Sequence, residues 1–258
     1  MRTCAYCGSA GEMTKEHLYP NCLQKRREGK RVYSSDAIPD TFVGGSALQI
    51  KDVCDDCNSG VLSELDQYFC GLYDSHIDGR VVRSREQVQF RYEYDVLLRW
   101  LLKMLYNNAR AVNAAEDHVE RLREYTDYII GKETIPAEIL LLARLTIPFE
   151  GEDGEIPPSH MTCGLIDLED FDYRLGQTYL VSIDSFAFIV VTLVAASRGF
   201  RQKAMELLKE DSSLGKASRL RPGIDQTNLT ASGATSLHVD GQLVMADWAK
   251  WMRKNQQD

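Results

Sequence analysis

The sequence predicts an α+β protein in two parts, a small metal-clamped unit in residues 1–78 and a larger mixed α/β unit of unassigned fold in residues 79–258. Three observations carry this. Two C-x-x-C pairs, Cys4/Cys7 and Cys54/Cys57, bracket a long loop near the start of the chain. From Tyr94 to Ala109, apolar residues recur at three- and four-residue steps, the mark of a helix with one buried face. Beyond Glu138 the apolar runs become β-branched and are bounded by Pro, Gly and Asp, as strands are. A chain of 258 residues, 44% hydrophobic and 26% charged, has the composition of a globular protein with room for one small and one larger unit. No stretch approaches the roughly 20 consecutive apolar residues of a membrane span.

The cysteines come first. Two intervening residues let a tight turn bring both thiolates of a pair to one metal, and four such ligands make a closed structural zinc site. A C-x-x-C can also be a redox pair, so a disulfide oxidoreductase is a third reading. That use opens a helix within a βαβ pattern, which the region around Cys4 lacks. Cys22, Cys70 and Cys163 have no partner at metal spacing and read as buried or half-buried thiols. An odd total of seven cysteines, with no apolar leader at the start, points to a reducing cytoplasm.

Inside the clamp lies Glu16-His17-Leu18-Tyr19-Pro20, and Asn58 directly follows Cys57. Phosphodiester hydrolysis needs a base for water and an electrophile for the developing charge. His17 suits the first task, since an imidazole is substantially neutral near pH 7. Glu16 and Asn58 suit the second, because two hard oxygen ligands leave positions for water and phosphate on a magnesium-type ion. Adjacent strand residues face opposite ways, so a backbone irregularity is expected between the end of this strand and Pro20. Asn58 also reads as the N-cap of a helix with apolar positions Val61, Leu62, Leu65, Phe69 and Leu72. On that helix Asp66 reads as an exposed or capping acid, and His76 as a surface residue.

In these motifs the chain resembles the HNH, or ββα-metal, endonuclease superfamily, most closely its zinc-bearing branch typified by recombination endonuclease VII. An N-terminal C-x-x-C, an acid followed by His, and a second C-x-x-C followed by Asn stand in the family's order over about residues 1–72. The resemblance implies a zinc-clamped ββα-metal domain with Cys4, Cys7, Cys54 and Cys57 on structural zinc. It further implies Glu16 and Asn58 on a catalytic Mg2+ or Mn2+, His17 as general base, and DNA as the substrate, cut to 5′-phosphate and 3′-hydroxyl ends. Two departures stand out: Glu replaces the commoner Asp, and the loop between His17 and Cys54 is longer than the minimal motif.

The net charge of −8 requires an acidic nuclease to gather its cations locally, because nucleic-acid affinity comes largely from neutralised phosphates. Lys25, Arg26, Arg27, Lys30 and Arg31 form such a cluster just after His17, and Arg80, Arg83, Arg85 and Arg91 a second. Polar and turn residues over 73–80 mark the boundary between the units. The helix from Tyr94 is the expected spine of the second unit. A weaker helical pattern over 116–130 follows and stops at Gly131. Strands are expected at 139–147 (a run that also fits a helix), 163–166, 179–183 and 186–194, the last a central strand buried on both faces. A helix near 200–210, a hairpin over 237–244 and a terminal helix over 246–252 complete the chain. Residues 79–258 carry no second catalytic spacing. They read as a scaffold, a dimerisation surface for a homodimer, or a module for a regulatory protein or ligand. The resemblance gives restriction or phage defence as the setting. The competing reading of the whole is a non-catalytic zinc module for nucleic-acid or protein recognition.

Overall fold

The computed structural model describes residues 2–26, 49–111, 116–151, 154–156, 158, 161–166, 175–195, 197–210 and 217–233. The chain divides into two compact units, Met1–Asp78 with Tyr92–Pro136, and Gly79–Arg91 with Ala137–Asp258. The chain first leaves the first unit after Asp78 and re-enters it at Tyr92. The helices beyond Tyr92 belong to the first unit, so the helix expected as the spine of the second is instead the backbone of the first.

The first unit opens with a two-stranded ribbon, β1 (Arg2–Thr3) and β2 (Ala10–Gly11), whose connecting loop carries Cys4 and Cys7. Next come β3 (Thr14–His17), α1 (Asn21–Arg26) and β4 (Gln49–Val53), with β3 and β4 antiparallel. Cys54 ends β4, and a wide π-helical segment, Asp56–Leu62, runs into α2 (Ser63–His76). Helices α3 (Tyr94–Ala111), α4 (Glu116–Arg123) and α5 (Thr126–Ile129) complete the unit. Amphipathicity shows that α3 is buried but not against what. Its partner is α2: the Trp100 indole stacks on the Phe69 ring with centroids 3.5 Å apart. A second pairing joins α1 to α2. Cys22 and Cys70 form a disulfide with Cα atoms 6.4 Å apart, which corrects their reading as thiols. Their sequence separation of 48 gives no spacing signal. Only the docking of two helices brings them together.

In the second unit β5 (Gln87–Arg91) pairs antiparallel with β13 (Gln226–Thr230). A five-stranded antiparallel sheet runs in the order β12-β6-β11-β10-β9. Its strands are β6 (Ile139–Leu145), β9 (Met161–Ile166), β10 (Gly176–Ile183), β11 (Phe186–Leu193) and β12 (Ser218–Leu220). The small hairpin β7 (Phe149–Gly151) and β8 (Gly154–Ile156) stands apart from it. The Ile139–Leu145 run is a strand, because its backbone is claimed on both sides by β11 and β12. Central β11 is buried along its whole length. One sheet face packs on α6 (Arg198–Glu210) through Leu142, Leu180, Ile189 and Ala204. From the other, Phe186 and Phe188 meet Phe90 of β5. Gly176 lets β10 and β11 close on each other: a Cβ there would lie 2.2 Å from the Thr192 carbonyl oxygen. The hairpin and helix expected over 237–252 lie outside the described residues, as does His160. Among the described residues no helix is long and apolar enough to cross a membrane.

Candidate functional site

Each C-x-x-C pair sits on a backbone turn that aims its two sulfurs the same way. In the first, the Cys4 amide donates to the Ser9 carbonyl and the Gly8 amide to the Cys4 carbonyl, at 2.9 and 3.0 Å. Gly8 takes φ +71, a left-handed conformation that a side chain would strain. In the second, the Asn58 amide donates to the Cys54 carbonyl at 3.0 Å. The four sulfurs of Cys4, Cys7, Cys54 and Cys57 all lie within 4.8 Å of one another. Four thiolates at that separation repel. Burial and the neighbouring sulfurs push the Cys57 thiol well up, and burial raises Cys54. At Cys7 burial acts the same way, but hydrogen bonds from Ser9 and the other cysteines outweigh it and bring the thiol to about 6. A dication resolves such a cluster by deprotonating every ligand at once. The donor set therefore fits zinc: four sulfurs, tetrahedral number, half of them buried.

Beside this cluster β3 presents Glu16 and His17 to opposite sides. The strand is irregular, but within β3 between Thr14 and Glu16 rather than between its end and Pro20. Thr14 pairs with Val53 and Glu16 with Ile50, so Lys51 and Asp52 of β4 together oppose the single Lys15. Beyond the bulge, Glu16 points inward at 3% exposure while His17 is half-buried. The His17 ring is met by its cross-strand partner: Gln49 Nε2 lies 2.8 Å from His17 Nε2. Asn58 ties the helix start to the same strand, its Nδ2 donating to Thr14 Oγ1 at 2.7 Å and to the Lys15 carbonyl at 3.0 Å. That orientation turns the amide oxygen of Asn58 away from β3.

The inward side of Glu16 is occupied by α3. Lys103, fully buried, donates to Glu16 Oε1 at 2.8 Å and to Asp66 Oδ1 at 2.6 Å. Asn107 Nδ2 donates to Glu16 Oε1 at 3.2 Å and to the His17 carbonyl at 3.3 Å. Burial works against the Lys103 ammonium, yet Asp66 and Glu16 outweigh it and hold its pKa above the ordinary lysine value. Asp66 is therefore the lysine's second counter-ion rather than an exposed acid, and the Trp100 indole N–H, 3.1 Å away, donates to the same carboxylate oxygen. Burial pushes its carboxyl upward, against Lys103.

Of the two expected ligands for a catalytic ion, Glu16 receives its contacts from Lys103 and Asn107 on Oε1, and Asn58 turns its amide nitrogen, not its oxygen, toward β3. Among the described residues only the four cysteines gather three or more His, Cys, Asp or Glu ligand atoms, so water and substrate would supply the remaining positions.

Of the basic cluster, Lys25 is exposed at the end of α1, and Arg26 is committed to Asp74, with Nη2 to Oδ2 at 2.7 Å. Arg27, Lys30 and Arg31 lie outside the described residues. The sequence reading missed Gln49, Lys103 and Asn107. The last two carried a signal, since polar side chains at 103 and 107 interrupt an otherwise apolar helix face. The chain was compared with family models, curated proteins and solved structures, and nothing matches it.

Proposed function

We propose that the first unit is an HNH-type, metal-dependent endonuclease that hydrolyses DNA phosphodiester bonds, built on a structural zinc clamp. The observation that carries the reading is the bulged β3–β4 ribbon. It carries Glu16 and His17 as neighbours on β3, and Asn58 binds it directly to the start of the following helix. The Cys4, Cys7, Cys54 and Cys57 cluster ties the same segments together. Glu16 and Asn58 would hold the divalent ion, which supplies charge stabilisation at the phosphate and the departing oxygen. The remaining chemistry belongs to the chain. His17 takes the proton from the attacking water at one ring nitrogen while Gln49 fixes the ring through the other. Lys103 holds Glu16 in place through its ion pair, and Asn107 fixes the backbone of His17. Lys25 and its neighbours are the groups to track the phosphate backbone.

A second reading keeps the zinc and removes the chemistry. It is favoured by the ion pair between Glu16 and Lys103, which would by itself explain a carboxylate at this position. The two readings separate on cleavage of supercoiled plasmid and single-stranded DNA by zinc-loaded wild type and His17→Ala, with Mg2+ or Mn2+ and an EDTA control. The nuclease reading expects ion-dependent nicking by wild type and a loss of at least about 100-fold in His17→Ala, the usual scale of a general base. Equal activity in the two proteins would refute it.

A further inference from the structure

The minimal motif ends with α2, yet three side chains on one face of α3 reach back into it. Lys103, Asn107 and Arg110 recur at helical spacing, and each holds a different piece of the site. Arg110 Nε binds Asp52 Oδ2 of the β4 bulge at 2.9 Å, with its guanidinium carbon 4.0 Å from the centre of the Tyr106 ring. Asn107 uses all four of its hydrogen-bonding positions. Its Nδ2 donates to Glu16 and to the His17 carbonyl, while Oδ1 accepts from Tyr6, one of the two residues between the first two cysteines, at 2.6 Å and from Arg110 at 3.0 Å.

Lys103 is the most constrained of the three. An ammonium has three protons, and here three acceptors surround it: Glu16 Oε1, Asp66 Oδ1 and, at 3.5 Å, the carbonyl of Leu62. Leu62 closes the π-helical segment Asp56–Leu62, the segment that bears Asn58. One buried cation thus touches both the acid on β3 and the end of the turn that presents the amide. With one proton for each of its three acceptors, the ammonium fixes their separation.

We propose that Lys103 is a positioning residue of the nuclease site, setting the distance between Glu16 and the Asn58-bearing segment, with Asn107 fixing the backbone at His17. This rests on the nuclease reading. It adds that the working site extends over α3, beyond the span that the sequence motif covers. Lys103 touches no substrate. Its effect is transmitted through Glu16 and Leu62.

The test uses full-length, zinc-loaded protein and two variants. Lys103→Met combined with Asp66→Asn removes one positive and one negative charge together, preserving the net charge of the cluster. Lys103→Arg keeps the charge, but a planar fork cannot meet three acceptors set around an ammonium. Cleavage kinetics and Mn2+ affinity are measured on each, with zinc content and circular dichroism as controls. Positioning predicts that kcat falls at least about 10-fold in both variants while KM for DNA stays within about threefold, since only transition-state geometry is lost. It also predicts a changed Mn2+ Kd in the double variant. A lysine that merely neutralises buried acids predicts wild-type kcat and Mn2+ Kd in Lys103→Arg, and that result overturns the proposal whether or not the double variant folds. If wild type binds Mn2+ but cleaves nothing, the nuclease reading fails. Positioning is then judged on Mn2+ Kd alone: a shift in Lys103→Arg upholds it and an unchanged value ends it. If wild type binds no Mn2+ that Glu16→Gln abolishes, both fall.

Discussion

Four cysteines within 4.8 Å of one another cannot all be thiolates without a cation among them, so metal binding and the stability of the first unit are linked. Replacing Cys57 with Ser is expected to abolish stoichiometric zinc and to destabilise the unit, read as lost metal by elemental analysis and a lowered Tm by circular dichroism. Tyr68 contributes to the alkaline limit, alongside Tyr6 and Tyr128, whose hydroxyls burial also raises. Burial, with the nearby Glu93 carboxylate adding to it and against a backbone hydrogen bond from Glu93, shifts the Tyr68 hydroxyl up to about 12. Its folded pKa thus exceeds its unfolded value of about 10, and the contribution is present below pH 10 and lost as pH rises through 12. Denaturant midpoints should fall between pH 10 and 12 in wild type, with a shallower fall in Tyr68→Phe. An unchanged slope would remove Tyr68 from the account.

The helices show where one element disciplines another. The disulfide joins α1 to α2 across a separation of 48 residues, and closing a loop of that size stabilises by about 4 kcal/mol in the chain-entropy picture. Zinc on the four cysteines would close an interleaved loop between Cys7 and Cys54, so the two constraints share the chain from Cys22 to Cys54. Cys22→Ser/Cys70→Ser should therefore lower Tm more in zinc-depleted than in zinc-loaded protein. Equal shifts would mean that the cysteine cluster does not cross-link the chain. Packing makes a parallel claim for α2 and α3. Phe69, fully buried and stacked on Trp100, should cost about 3–5 kcal/mol on truncation to Ala, measured by urea denaturation. The sequence made both helices visible through their apolar period. It could not show that α3 returns to the first unit, because periodicity marks a buried face and is silent on the partner. The disulfide was hidden for the same reason.

Across the whole molecule, the division into two units has a thermal consequence. Chelation of zinc should lower the transition of the unit formed by Met1–Asp78 and Tyr92–Pro136 and leave that of the five-stranded sheet unit in place, by calorimetry with and without chelator. A single transition that moves as one would contradict independent stability. The strands of the second unit were legible from their β-branched runs, with Ile139–Leu145 settled only by its two neighbours in the sheet. In the site, spacing pointed to the cluster of Cys4, Cys7, Cys54 and Cys57 that the fold gathers, and suggested Glu16, His17 and Asn58 beside it. The charges that surround Glu16 were invisible, since Asp66 and Lys103 lie 37 residues apart and meet only through the packing of α2 on α3.

Glu16 is where the two functional readings part, because it can be a ligand for a catalytic ion, a counter-ion for Lys103, or both. Single-turnover cleavage of plasmid DNA in Mn2+, by zinc-loaded wild type and zinc-loaded Glu16→Gln, measures which. The amide keeps the shape and an acceptor for Lys103 but loses the negative charge that an ion requires. The account predicts that Glu16→Gln retains its zinc and fold and cleaves at least about 100-fold more slowly, on the scale of removing one electrostatic stabiliser of the transition state. Cleavage at the wild-type rate by a folded Glu16→Gln protein would contradict it and leave Glu16 as part of the scaffold.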